Sequence, residues 1–236
     1  MKGETMKKTI NGKEYNIEPG TDLRRTNLRG ANLKGANLTR SCLTRADLRG
    51  ADLRDADLSS ADLRAASIWD ADLWNADLGY ANLRGANLTR SCLTRANLRG
   101  ANLMRSCLTG ADLRGASLCG ADLCGADLDS ADLRGAFLPS PTMVLMAYWG
   151  KVSSNLTIEL MRYDASCHPD PTAFDRWAAS DDGPCPYDDV KIQRACYFDE
   201  QRILWSPGPS KRPYDLMVEV IRECCKDSDY HGGENG

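Results

Sequence analysis

The chain has no apolar stretch long enough to cross a bilayer. Its longest, Met143 to Trp149, falls far short of the roughly 20 residues a membrane helix needs. Nor does the amino-terminal MKGETMKKTI carry an apolar core behind its lysines, so it lacks the usual form of a secretory signal; a cytoplasmic protein with no membrane contact is expected. Motifs that carry chemistry are missing too. There is no phosphate loop, dinucleotide fingerprint or nucleophile elbow, and no C-x-x-C or paired histidine marks a zinc site. The expectation is a protein that is not an enzyme and uses no cofactor or metal. Ten cysteines without a signal peptide read as reduced thiols in small sites rather than as disulfides.

What is present is a period of five. Every fifth residue from Leu23 to Leu138 is leucine, except Ile68, which gives twenty-four repeats without an insertion or deletion. Two positions before each leucine stands alanine, nineteen times, or serine or threonine; between them stands mostly aspartate or asparagine. Three residues pointing in, out and in form the pleat of a short β segment. The other two turn the chain, with glycine frequent at the second (Gly30, Gly35, Gly50, Gly85, Gly100). The Asp or Asn side chain is placed to bond a nearby amide and hold the corner. A helix is excluded because a period of five drifts around a 3.6-residue turn and gathers no leucine stripe.

This pattern resembles the pentapeptide repeat family, and the resemblance implies a mainly β fold, a right-handed quadrilateral β-helix. Four sides of five residues close one coil, so the twenty-four repeats make about six coils, stacked about 4.8 Å apart. Open solenoid ends need covers. Residues 1–20 are read as an N-terminal hairpin cap around Asn11-Gly12, residues 21–138 as the solenoid, 139–150 as connector and C-terminal cap, and 151–236 as a small, mainly helical domain with a frayed tail. Leu156, Leu160 and Tyr163 recur at helical spacing. Asp170-Pro171 starts a helix with Phe174 and Trp177, and Leu216, Met217, Val220, Ile221 and Cys224 form one apolar face. Cys167, His168, Cys185, Cys196, Cys224 and Cys225 are read as small buried groups, with a metal site or a Cys-His catalytic pair in this domain as the alternative.

Residues twenty apart share a side. On the side that begins at Leu23 this aligns Arg24, Arg25, Arg45, Arg64, Arg84 and Arg105. Such a stripe suits phosphates or an acidic protein surface, or simply keeps a repetitive surface soluble. Trp69, Trp74 and Tyr80 occupy turn positions on three successive sides of one coil, as partner anchors or as packing for the tail. The segment at 37–46 recurs unchanged at 87–96, and repeat duplication accounts for Cys42 and Cys92. Known members of the family confer quinolone resistance and bind gyrase by imitating duplex DNA, which implies a topoisomerase or another DNA-handling enzyme as partner. Residues 21–138, however, hold sixteen basic and fourteen acidic residues, while 139–236 hold ten and sixteen. The expected function is therefore a non-catalytic protein-interaction scaffold, an inhibitor or modulator of a nucleic-acid-handling enzyme of topoisomerase-directed or phage counter-defence type. Its protein partner is unidentified and a homodimer is compatible. Direct nucleic-acid binding through the arginine stripe is the alternative.

Overall fold

The computed structural model describes residues 6–140, 144–145, 147–150, 152–167, 172–179 and 206–224. Within 21–138 the pentapeptides wind into a β-solenoid whose neighbouring passes are twenty residues apart. Parallel bridges link Asp22 to Cys42, Cys42 to Asp62, and so on through Ser117 to Phe137. The leucines point to the axis: from Leu23 to Leu133 each is at most 2% exposed, and the alanines pack beside them. Serine replaces alanine where its hydroxyl has a partner. Ser91 and Ser106 donate to the carbonyls of Leu88 and Leu103 at 2.7 Å.

The repeat satisfies its backbone donors by a fixed scheme, which is what a buried β-column requires. The leucine N–H donates to the residue nineteen further on, as Leu28 does to Asp47, and the central residue donates to the previous coil, as Asp47 does to Thr26. The second turn residue donates to the next coil, as Gly50 does to Trp69, and the alanine N–H closes the turn onto the preceding leucine, as in Ala51 to Leu48. That leaves the amide of the first turn residue. At every Asp or Asn in the central place of a repeat from Asp22 to Asp132, the side-chain Oδ1 accepts it, at 2.8–3.3 Å. The corner role expected of these residues is thus met throughout. The second turn residue always has positive φ, between 54° and 69° from Arg25 to Gly135, as a turn of type II demands. This accounts for its frequent glycine.

The N-terminal hairpin consists of β1 (Met6–Ile10) and β2 (Lys13–Ile17), paired antiparallel across Asn11-Gly12. Both turn residues have positive φ, 52° and 78°, as the two-residue hairpin turn needs. Ile10 and Ile17 are buried, and Asn11 Nδ2 donates to the Asn27 carbonyl at 3.2 Å.

At the other end the ladder runs further than the leucine period. Tyr148 N–H donates to Ala126, and its carbonyl accepts from Leu128, both at 2.8 Å. Ala147, Tyr148 and Trp149 therefore occupy the alanine, aspartate and leucine places of one more pass, offset by a single inserted residue. Trp149 is buried and its Nε1 donates to the Val144 carbonyl at 3.0 Å. Gly150, at φ 76°, passes so close to the Asp129 carboxylate that a side chain there would collide with it.

Among the described residues three helices follow: α1 (Ser154–Cys167), α2 (Ala173–Ala179) and α3 (Pro213–Cys224). Ser153 caps α1, its Oγ accepting from the Leu156 amide at 3.3 Å. Its own N–H and hydroxyl donate to the Glu223 carboxylate near the end of α3. Leu156, Leu160, Met161 and Tyr163 of α1 are buried, as are Leu216, Met217, Val220 and Ile221 of α3, and the two helices are in contact. The side chains of Phe174 and Trp177, together with residues 168, 185, 196 and 225, lie outside the described residues. No helix among the described residues is long and apolar enough to cross a membrane.

Candidate interaction surface: a cationic side and an aromatic belt

The twenty-residue register sorts the outward residues into four columns, named here by their first leucine. On the Leu23 side the first turn position carries Arg24, Thr44, Arg64, Arg84 and Met104; the second carries Arg25, Arg45, Ala65, Gly85 and Arg105. Backbone bonds from Arg25 to Thr44, Arg45 to Arg64, Ala65 to Arg84 and Gly85 to Met104 hold them in that order. The six candidate arginines therefore share one side.

They are not chemically equivalent. Wherever the repeat reads Asp-Leu-Arg, the arginine folds back on the aspartate two residues before it. Arg24 meets Asp22, Arg49 Asp47, Arg54 Asp52, Arg64 Asp62, Arg114 Asp112 and Arg134 Asp132, each with Nη2 2.6 Å from Oδ2. Nε donates to Oδ1 as well, at 2.8–2.9 Å, so the contact is a two-point fork. The hydrogen bond from Arg24 holds the Asp22 carboxyl down at about 2. The same cause lowers Asp47, Asp52, Asp62, Asp112 and Asp132. Arg84 follows Asn82 and has no carboxylate there. Arg25, Arg45 and Arg105 sit at the second turn position, with φ of 54–58°. Among the described residues these four make no ion pair. Sequence reasoning grouped all six; two signals separate them, the second turn position for Arg25, Arg45 and Arg105, and Asn in place of Asp two residues earlier for Arg84.

The Leu23 side holds six basic and three acidic residues, the Leu28 side three and four, the Leu33 side five of each and the Leu38 side two of each. Net positive charge is thus confined to one side. Near the hairpin this side hollows into an open trough of about 970 Å³, lined by Lys13, Arg24, Arg25, Arg45, Arg64, Thr26 and Thr44 among others, with Asp22 its one lining carboxylate.

Trp69, Trp74 and Tyr80 lie in a single coil but on the Leu28, Leu33 and Leu38 sides, so they form a belt around three sides rather than one flat patch. Trp69 and Trp74 are 39% and 37% exposed and Tyr80 is 74% exposed. The Tyr80 ring rests on Gly100 of the next coil, where a Cβ would come within 2.6 Å of it.

The solenoid thiols are only partly accessible, three at the central place of a repeat and two, Cys119 and Cys124, at turn positions. Cys42, Cys92, Cys107, Cys119 and Cys124 are half-buried and unbridged, and burial pushes the Cys124 thiol up. Cys107 lies between the hydroxyls of Thr89 and Thr109, at 3.1 and 3.2 Å. A second cavity, of about 740 Å³, opens beside α1 and α3. Its charges are largely spent on each other, Arg162 on Glu159 at 3.0 Å and Lys211 on Glu219 at 2.8 Å. No group of three or more metal-ligating side chains converges among the described residues.

The family model for pentapeptide repeats matches in eight copies, over residues 19–45, 41–73, 70–104 and 106–139. Among solved structures the chain is similar to HetL, a pentapeptide repeat protein involved in heterocyst differentiation regulation from the cyanobacterium Nostoc sp. strain PCC 7120. Identity is 32% over 55% of this chain and 70% of that one, with a TM-score of 0.22. It is also similar to the pentapeptide repeat protein Rfr23 of the cyanobacterium Cyanothece 51142, at 32% identity over 56% and 91% of the two chains and a TM-score of 0.28. A trypsin-treated form of QnrB1, a plasmid-mediated fluoroquinolone resistance protein, matches at 22% identity over 51% and 76%, with a TM-score of 0.38. No curated protein matches. With the repeat matched over half the chain and its corners built alike throughout, the protein belongs to the pentapeptide repeat family.

Proposed function

We propose that the protein is a non-catalytic protein-interaction scaffold, a four-sided column of six coils over residues 21–138 that modulates a nucleic-acid-handling enzyme in the cytoplasm. In this reading residues 1–20 and 139–150 close the two ends, and the helical domain at 151–236 supplies a second contact or a dimer interface. The observation that carries it is the aromatic belt. Tyr80 keeps most of its surface in water at φ 57°, a backbone region unfavourable for a bulky residue, and two tryptophans accompany it in the same coil. Rigidly mounted, exposed aromatics are the residues that anchor protein interfaces. They gain little from one another, being on different sides, so their return comes from a partner.

The test replaces Trp69, Trp74 and Tyr80 by serine, which already occupies equivalent turn positions at Ser59, Ser60 and Ser130. The expected result is an unchanged melting temperature and loss of a protein captured by the wild-type chain from nuclease-treated host lysate. Adding the pure chain to a topoisomerase relaxation assay examines the narrower reading. Equal capture by wild type and triple variant would overturn the belt as the contact surface.

A further inference from the structure

The belt leaves the Leu23 side unused, and that side has a different chemistry. Among the described residues, the exposed large hydrophobic ones of the repeat, Trp69, Trp74, Tyr80 and Phe137, all lie on the other three sides. A protein interface normally has an apolar or aromatic centre, so this face lacks what a protein partner would grip. It offers guanidinium groups and the Lys13 ammonium around one trough, cations of the kind that contact phosphate. Arg25, Arg45, Arg84 and Arg105 remain unpaired, and the rigid backbone ladder fixes their order. From Arg25 to Arg105 is four coils, about 19 Å at the inter-strand spacing. At about 3.4 Å per nucleotide that spans roughly five to six phosphates of one duplex strand.

We propose that the Leu23 side is a binding face for the phosphate backbone of duplex nucleic acid, carried by Arg25, Arg45, Arg84 and Arg105 with Lys13 at its hairpin end. Arg24 and Arg64 lie on the same face but are held in reserve by Asp22 and Asp62. The choice of Asp or Asn two residues earlier thus sets how many cations the face presents. Binding here is sequence-independent, because every contact is to backbone phosphate.

The experiment measures a fluorescently labelled 20-base-pair duplex by anisotropy against the full chain, from 50 to 200 mM salt. The four arginine contacts alone predict a slope of log K against log salt of about −3.6, or about a hundredfold weaker binding over that range. The combined variant Arg25→Gly, Arg45→Gly, Arg84→Ser and Arg105→Gly is expected to abolish binding. It keeps the fold, because glycine suits the positive φ of three of these positions and serine already stands at the first turn position of another repeat, Ser59. Asp22→Asn with Asp62→Asn frees two more arginines and steepens the slope toward about −5, while the corner amide keeps an acceptor, as it does at Asn27 and Asn82. Asp112→Asn, on the Leu33 side, leaves binding unchanged. No binding at 50 mM salt, binding that survives loss of the four arginines, or equal gain from Asp112→Asn would each overturn the proposal. Polyglutamate or inorganic polyphosphate bound in place of the duplex would overturn it too, assigning the face to an acidic protein or a free polyanion. The triple serine variant of the belt retains duplex binding, so the two readings fail separately.

Discussion

Asp112 separates the two roles of the corner aspartate. Its Oδ1 accepts the Arg114 amide at 3.1 Å, and the same carboxylate takes the forked contact from the Arg114 guanidinium, at 2.9 and 2.6 Å. The Thr94 hydroxyl of the coil below also bonds to it. Asp112→Asn keeps an acceptor for the amide and breaks the ion pair; Asp112→Ala removes both. The ion pair lies in water and contributes little, whereas the lost amide acceptor costs about 1 kcal/mol, the usual net value of a hydrogen bond. A larger figure is unreasonable. Five repeats already place Cys or Ser at this position, at Cys42, Ser67, Cys92, Cys107 and Ser117, and the column is continuous through them. For a unit of this size about 1 kcal/mol moves the melting temperature by roughly 3–5 °C. Urea unfolding and thermal scans at pH 7 should rank wild type and Asp112→Asn together, with Asp112→Ala below both. If Asn proves as damaging as Ala, the ion pair holds the corner and the reasoning fails; if neither has an effect, the corner oxygen is redundant.

Three further outcomes follow from the same geometry. Leu78→Ala, at a fully buried position between coils that cannot collapse without breaking the ladder, should cost about 3–5 kcal/mol in urea unfolding; Leu138→Ala, only partly buried, should cost clearly less. Six corner carboxyls are held below their ordinary values by arginine, so their stabilisation is complete above the unfolded value of about 3.9 and is lost as pH falls through the folded values, Asp22's being about 2. Melting temperature should accordingly be level from pH 7 to 5 and fall only slightly below about pH 4, since each exposed pair contributes little. Gly85→Ala and Gly100→Ala meet the same positive φ, 66° and 64°, but only the second meets a neighbour, the Tyr80 ring. Gly100→Ala should be the more destabilising, and adding Tyr80→Ser should remove the difference in a double-mutant cycle.

The solenoid was legible because its information is local and repeated. The leucine period identifies the axis, the alanine beside it gives the narrow wall, and the Asp or Asn between them names its own hydrogen bond. The last pass was not legible. Ala147, Tyr148 and Trp149 fill the three inward-outward-inward places with different residues after one inserted position, so a search for leucine every fifth residue ends at Leu138. Pattern also placed the helical faces, since Leu216, Met217, Val220 and Ile221 needed only a 3.6-residue spacing. The surface was half legible. Stacking the arginines required only the number twenty, but telling the four unpaired from the two paired required knowing that a first-turn arginine reaches back to its own corner.

That reach also bears on what a member of this family presents to a partner. An imitation of duplex DNA needs carboxylates left open along one side. The Leu33 side comes nearest, with Asp52, Asp55, Asp72, Asp112 and Asp132, yet its charges are cross-linked within and between coils. Arg54 contacts both Asp52 and Asp72, at 2.6 and 3.5 Å, Arg114 contacts both Asp112 and Asp132, at 2.6 and 3.7 Å, and Lys34 reaches Asp55 at 4.0 Å. Carboxylates tied in this way project little negative potential beyond the screening distance of about 8–10 Å. The same local pairing that silences the acids leaves unpaired arginines where Asn replaces Asp or where the second turn position carries the charge. Among the described residues four arginines without an ion pair, Arg25, Arg45, Arg84 and Arg105, share the Leu23 side with one such carboxylate, Asp122, so the open charge of that side is positive and suits contact with phosphate more than its imitation.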